Sequence, residues 1–178
     1  MAVSVVVIGV CGSGKSTLGK GLARALRLNF VEGDDLHPQS NLEKMSSGQP
    51  LNDEDRFGFL SNVGFVLSEH KKAGVVVSCS ALKKKYRNLL RLHDESVVFV
   101  LAELEESVLR ERLMRRKGHF MSEKMLDSQL EIFERPTEDE SVIFVDGHLG
   151  PDDQVRDILA KLAYDRSRCN ADLNGPEI

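Results

Sequence analysis

Gly9-Val10-Cys11-Gly12-Ser13-Gly14-Lys15-Ser16 is the stretch from which the rest of the chain is read. It fits the pattern G-x-x-x-x-G-K-[ST] at every fixed position, and its surroundings agree with it. Val3 to Ile8 before it is apolar almost throughout, as in a strand buried on both faces. Lys15 to about Leu28 after it puts Leu18, Leu22, Ala25 and Leu26 on one helical face. Glycines between a strand and a helix let successive backbone N–H groups converge on an anion beside the positive end of the helix. Lys15 can reach the outer phosphates of a nucleoside triphosphate, and the Ser16 hydroxyl can ligand Mg2+. Gly9, Val10, Cys11, Gly12, Ser13, Gly14, Lys15, Ser16 and Thr17 are thus the expected nucleotide-binding segment. Cys11 holds a variable position, where a small side chain fits; the nearby cations and helix N-terminus would also favour its thiolate.

Outward from this loop, short β-branched runs alternate with amphipathic stretches, as in a parallel sheet covered by helices. Further strands are expected at Asn29 to Glu32, Val75 to Cys79, Val97 to Leu101 and Val142 to Val145, making five. A polar segment through Pro50 holds a short helix ended by Ser46-Ser47-Gly48. Asn52 to Lys72 is expected to be a longer helix on Phe57, Leu60, Val63, Val66 and Leu67, capped by Asn52 or Asp53 and stopped by Gly74. Leu82 to Leu92, Glu105 to Arg116, Glu123 to Phe133 and Pro151 to about Arg166 complete the set. Residues 1–166 read as one domain, with a lid at about 116–123, and 167–178 as a frayed polar tail.

The chain has 178 residues, 41% hydrophobic and 29% charged, an ordinary globular composition. Its 24 Lys plus Arg against 28 Asp plus Glu give a net charge of -4, unlike a non-specific nucleic-acid binder. No apolar run is long enough to span a bilayer, and the amino terminus lacks a basic secretory n-region. Cys11, Cys79 and Cys169 have neither metal-ligand spacing nor a disulfide framework, so a reducing cytoplasmic compartment is expected.

The phosphate loop alone covers switches, motors and kinases. There is no Asn-Lys-x-Asp segment to read guanine, and the third strand ends Val77-Ser78-Cys79-Ser80 rather than in the aspartate of a motor ATPase. Val142-Ile143-Phe144-Val145-Asp146 resembles such a segment, but at the far end of the chain it is expected to border the nucleotide base. The basic run Arg110, Arg112, Arg115, Arg116, Lys117 before Gly118-His119-Phe120 suits a kinase lid, since guanidinium groups match a trigonal phosphoryl transition state. Arg112 and Arg116, at i and i+4, are the expected pair, with Arg110 and Arg115 left on the surface.

Several blocks resemble the gluconokinases, the small P-loop type related to shikimate kinase. They are Gly33-Asp34-Asp35-Leu36-His37-Pro38 with Asn41, Glu43-Lys44-Met45, Gly48, Pro50-Leu51-Asn52-Asp53 and Asp55-Arg56; Cys79-Ser80-Ala81-Leu82-Lys83-Lys84 with Tyr86-Arg87; and Lys117-Gly118-His119-Phe120-Met121 with Gln129, Phe133-Glu134 and Pro136. The resemblance runs from Val5 to about Val145. It implies a P-loop kinase fold with a five-stranded parallel sheet and a mobile lid, ATP with Mg2+, D-gluconate as acceptor, 6-phospho-D-gluconate as product, and a homodimer. Cys11 stands where the family usually has Ser, and Gly58-Phe59-Leu60 where it usually has Pro-Trp-Leu.

Read beside that resemblance, Asp34 follows the second strand, where a carboxylate can orient the acceptor hydroxyl and take its proton late. Lys15, Asp34 and Arg116 are the expected catalytic residues, and Asp35 reads as a cap. Arg56 and Arg87 are candidates for the bidentate grip on a sugar-acid carboxylate. His37, Asn41, Lys44, Ser80, Lys84, Tyr86 and His119 complete the expected acceptor set. A kinase of another sugar acid or of a shikimate-like polyol, and a non-catalytic nucleotide-binding module, are the alternatives.

Overall fold

The computed structural model describes residues 3–115 and 123–173. Five parallel strands, β1 (Val5–Ile8), β2 (Asn29–Val31), β3 (Val75–Ser78), β4 (Val98–Glu103) and β5 (Val142–Asp146), form one sheet in the order β2-β3-β1-β4-β5. The helices are α1 (Lys15–Leu26), α2 (Gln39–Ser46), α3 (Asp53–Glu69), α4 (Lys84–His93), α5 (Glu106–Arg115), α6 (Glu123–Ile132) and α7 (Pro151–Leu173). Short 3-10 turns lie at Gly33–Leu36 and Glu138–Glu140.

Alternate residues of each strand feed two separate cores. Val6, Ile8, Val75, Val77, Phe99 and Leu101 pack under α3, α4, α5 and α6. Val5, Val7, Val76, Val100 and Ala102 pack under α1 and α7, against Leu18, Leu22, Val155 and Ile158. Central strands covered on both faces need apolar residues throughout, which is why β1 reads as an unbroken run. A third small cluster, Met45, Leu51 and Met125, brings the region of α2 against α6.

α3 begins at a capping box. The Asn52 side chain accepts from Asp55 N–H and the Asp55 carboxylate accepts from Asn52 N–H, both at 2.8 Å. Asn52 is therefore the cap, and Asp53 instead takes bonds from Lys83, Lys85 and Tyr86. The buried stripe of α3 is Arg56, Phe59, Leu60, Val63, Gly64 and Leu67. The expected core residue Phe57 lies off that stripe and is 63% exposed. Its place inside is taken by Phe59.

α7 continues to Leu173, past the expected end at Arg166, because no Gly or Pro interrupts it before Gly175-Pro176. Among the described residues, no helix is long and apolar enough to cross a membrane. The expected lid falls on residues of which 116–122 lie outside those described, and Arg116 and His119 with them.

Candidate active site

The sheet directs the loops after β1, β2 and β3 to one edge. In the phosphate loop Gly12 and Gly14 have φ of 82° and 90°, where a side chain would be strained and glycine is not. Lys15 Nζ donates to the Val10 carbonyl across the loop at 2.9 Å. The loop is also tethered at two points: Gly9 N–H donates to Ser80 O at 3.2 Å, and Cys11 N–H donates to Gln129 Oε1 of α6 at 2.7 Å. Burial holds the Lys15 ammonium below the ordinary lysine range, and Asp34 is the foremost group pulling it back up, with Glu32 among the others.

The acceptor turn is fixed by a backbone contact. A Cβ on Gly33 would lie 1.8 Å from Ser78 O, so no larger residue can pass the end of β3 here. Ser78 Oγ accepts from Gly33 N–H at 3.0 Å and donates to the Glu32 carboxylate. Asp34 follows at once. Both Asp34 and Asp35 line the cavity that opens before Lys15, but only Asp34 acts on the Lys15 charge.

That cavity holds about 380 Å³. Lys15 and Ser16 stand on one side and Glu32, Asp34 and His37 on another, with Arg56, Phe59 and Ser80 from the neighbouring elements. Arg56 is 6% exposed, its Nη1 donates to Leu51 O, and no described carboxylate is ion-paired with it. A buried guanidinium lining a polar cavity without an ion-paired carboxylate has the chemistry to receive an anion. The His37 ring stacks on Phe59 with centroids 3.8 Å apart and planes 10° from parallel. Burial, reinforced by the Arg56 charge, brings the His37 pKa down to about 4.

Other expected acceptor residues are committed elsewhere. Arg87 does not line the cavity: it is fully buried, with Nε 2.6 Å and Nη2 3.0 Å from the two Glu140 carboxylate oxygens. Its Nη1 donates to Ala81 O and Leu82 O at 3.1 and 3.3 Å. With every nitrogen engaged, it cannot also grip a substrate carboxylate. Tyr86 donates to Asp53 and Lys84 pairs with Asp139 at 2.7 Å, both outside the cavity. Lys44 pairs with Asp55 at 2.5 Å, and Asn41 donates to Asp55 O at 2.8 Å; they hold α2 to the start of α3. Asp34, His37, Arg56 and Ser80 are the expected acceptor residues that the fold brings together. Glu32, Phe59, Met125 and Gln129 also line the cavity, beyond the expected site set.

A second cleft of about 320 Å³ lies on the other side of the phosphate loop, between Gly12, Gly14 and Thr17 and the residues Arg112, Leu149 and Pro151. Arg112 Nη2 donates to Gly147 O at 3.0 Å, which places its guanidinium beside the loop. Arg110 pairs with Glu106 and Asp127, and Arg115 with Glu111, on the surface as expected. Asp146 caps the turn after β5 by accepting from His148 N–H at 2.9 Å and lines neither cleft.

The donor set beside Lys15 is all oxygen: the Ser16 hydroxyl with the Asp34 and Glu32 carboxylates lining the same space. It suits Mg2+, which keeps waters and takes few protein ligands alongside phosphate oxygens. Among the described residues no group of three or more His, Cys, Asp or Glu could hold a metal ion by itself.

The shikimate kinase family profile matches residues 11–163. A gluconokinase of Gluconobacter oxydans is 46% identical over 157 residues, covering 87% of this chain and 88% of its own. The thermoresistant gluconokinase of Escherichia coli is 42% identical over 143 residues, 79% of this chain and 81% of its own. The crystal structure of a gluconokinase from Sinorhizobium meliloti 1021 superposes with a TM-score of 0.86 at 43% identity, covering 94% of this chain and 95% of that one.

Proposed function

Since the chain belongs to the gluconokinase family, within the wider shikimate kinase family, we infer that it transfers the γ-phosphoryl group of ATP to D-gluconate, giving 6-phospho-D-gluconate and ADP. The observation that carries the acceptor's identity is Arg56, a buried cation with no described carboxylate partner in the cavity that Lys15 and Asp34 also line. A sugar acid supplies the missing anion, and a neutral sugar does not.

In this reading the amides of residues 9–17 cradle the phosphates and Arg112 borders the base. Lys15 leaves the Val10 carbonyl for the outer phosphates and offsets charge on the transferring group. Ser16, with Asp34 and Glu32 nearby, would hold Mg2+, which would supply charge neutralisation to the phosphates. Asp34 accepts a hydrogen bond from the acceptor hydroxyl, aims its oxygen at phosphorus and takes its proton late. Arg56 anchors the carboxylate, His37 and Ser80 bind hydroxyls, and Phe59 forms a wall. Arg116 and His119 are proposed to act from the lid. Family resemblance further supports a homodimer, and the cysteine usage a reducing cytoplasm.

The test is an acceptor panel of gluconate, glucose, gluconolactone and shikimate, read by coupled ADP release, on the wild type and Arg56→Met. Gluconate should give the highest kcat/KM. Arg56→Met should cost gluconate roughly 10- to 100-fold, the worth of a charge-assisted bond, and leave glucose little changed. Equal losses for both, or a wild type that prefers glucose, would refute the assignment.

A further inference from the structure

Asn41 lies outside the cavity, yet its amide determines what His37 can do inside it. The Asn41 nitrogen donates to the Asp55 backbone carbonyl at 2.8 Å. A carbonyl can only accept, so that contact fixes which end of the amide is the NH2 group. The same nitrogen lies 3.3 Å from His37 Nδ1. An NH2 group can only donate, so its second hydrogen serves that contact and Nδ1 is the acceptor. Asn41 is 2% exposed, so water does not compete for either bond. With Nδ1 bare, the ring proton sits on Nε2, which has no hydrogen-bond partner among the described residues, in a ring that lines the acceptor cavity.

We propose that Asn41 locks His37 as the neutral Nε2–H tautomer, making it a permanent hydrogen-bond donor to a hydroxyl of the bound sugar acid; this rests on the gluconokinase reading above. The Phe59 stack sets the plane of the ring, and Asn41 sets its proton. The charges around it keep this state. Lys15 and Lys20 from α1, Arg56 from α3, and Glu32, Asp34 and Asp35 from its own segment share the cavity. Arg56 is the one that acts on the ring, and it opposes protonation. Lys44 and Asp55 neutralise each other beside Asn41. A His that titrated near neutrality would alternate between cation and neutral ring, and gluconate affinity would follow the pH. With Nδ1 accepting from Asn41, the ring carries its one proton on Nε2.

Nitrogen-15 spectra of the imidazoles in the labelled wild type test the lock without turnover, with His37 assigned by difference from His37→Gln. The expected result is the neutral Nε2–H pattern, unchanged between about pH 5.5 and 8, with Nε2 shifting when gluconate is added. An Nδ1–H tautomer, or a ring that titrates in that range, would overturn the proposal. Asn41→Asp supplies a kinetic arm. A carboxylate there would draw a proton to Nδ1 and raise the ring's affinity for a second. As pH rises and that second proton leaves, Nε2 becomes bare, and the gluconate KM should climb about tenfold while the wild type stays flat. A pH-independent KM in Asn41→Asp would refute the donor role, which a scaffold residue would not tie to pH. The locked tautomer without gluconate turnover would instead overturn the substrate assignment alone.

Discussion

Replacing Glu140 with Gln should leave Arg87 buried with its charge uncompensated. In the native pair the side chains are 0% and 2% exposed and share two direct bonds, 2.6 and 3.0 Å long. Removing one partner of such a pair typically costs about 3–5 kcal/mol, because the remaining charge cannot be rehydrated. Gln retains one acceptor oxygen, which points to the lower end, about 3 kcal/mol. For a domain of this length each kcal/mol moves Tm by about 2–4 °C, so Tm should fall by about 6–12 °C. The double variant Arg87→Met/Glu140→Leu should recover part of the loss, leaving the Ala81 carbonyl without its donor and the Thr137 N–H without its acceptor at about 1–3 kcal/mol each, while Leu82 O keeps the Glu134 N–H at 2.8 Å. The pH dependence has a fixed sign. The bonds from Arg87 hold the Glu140 carboxyl below the ordinary range, so its contribution is fully present above the unfolded value of about 4.3 and is lost as pH falls through the folded one. Wild type and Glu140→Gln should therefore converge on acidification. Thermal and urea denaturation at neutral and acid pH measure this. A Tm within about 2 °C of wild type at neutral pH, or a gluconate-specific loss like that of Arg56→Met, would show that Arg87 is not committed to the fold.

Two further outcomes concern the reacting groups. Lys15→Met should lower kcat/KM by about 10²-fold or more and yet raise Tm, since burial disfavours the ammonium; the wild type should close that gap at alkaline pH as Lys15 loses its proton. An unchanged turnover, or a Tm that falls, would contradict it. Asp34→Asn should reduce kcat strongly with the ATP KM roughly kept, and Asp35→Asn should do much less; steady-state kinetics showing the reverse order would move the acceptor base to Asp35.

Features carried by neighbouring residues were legible in the sequence. The phosphate loop between an apolar run and an amphipathic helix, the Asn52 cap and the doubly buried strands all follow from local pattern. Arg87 was misread because its partner Glu140 is 53 residues away and a cation in a Lys-rich block looks solvated or ligand-facing. The Gln129 tether spans 118 residues, and no local pattern announces it. In α3 the expected Leu60, Val63 and Leu67 are buried, but the stripe also contains Arg56, so an apolar count chose Phe57 over Phe59. A charged residue in phase with Leu60, Val63 and Leu67 was itself the clue to a buried cation lining the cavity. Lys44 and Asn41 have the chemistry of polyol binding, but helix packing uses it first.

The strand order has an evolutionary consequence. With β1 in the middle, the segments after β2 and β3 lie to one side of the phosphate loop, and those after β4 and β5 lie mainly to the other. Asp34, His37, Arg56, Phe59 and Ser80 line the first cavity, while Arg112, Leu149 and Pro151 line the second cleft. Among the described residues α6 crosses over to the first cavity through Met125 and Gln129, and residues 134–140 reach α4 through Glu134, Asp139 and Glu140. Such a layout lets the acceptor half drift while the nucleotide half stays under its own selection. Of the two departures from the family pattern, Gly58-Phe59 lies on the first side and Cys11 in the phosphate loop itself. A mutational library restricted to the acceptor half would explore new hydroxyl acceptors on an unaltered phosphoryl donor, which is how one scaffold can give rise to many kinases.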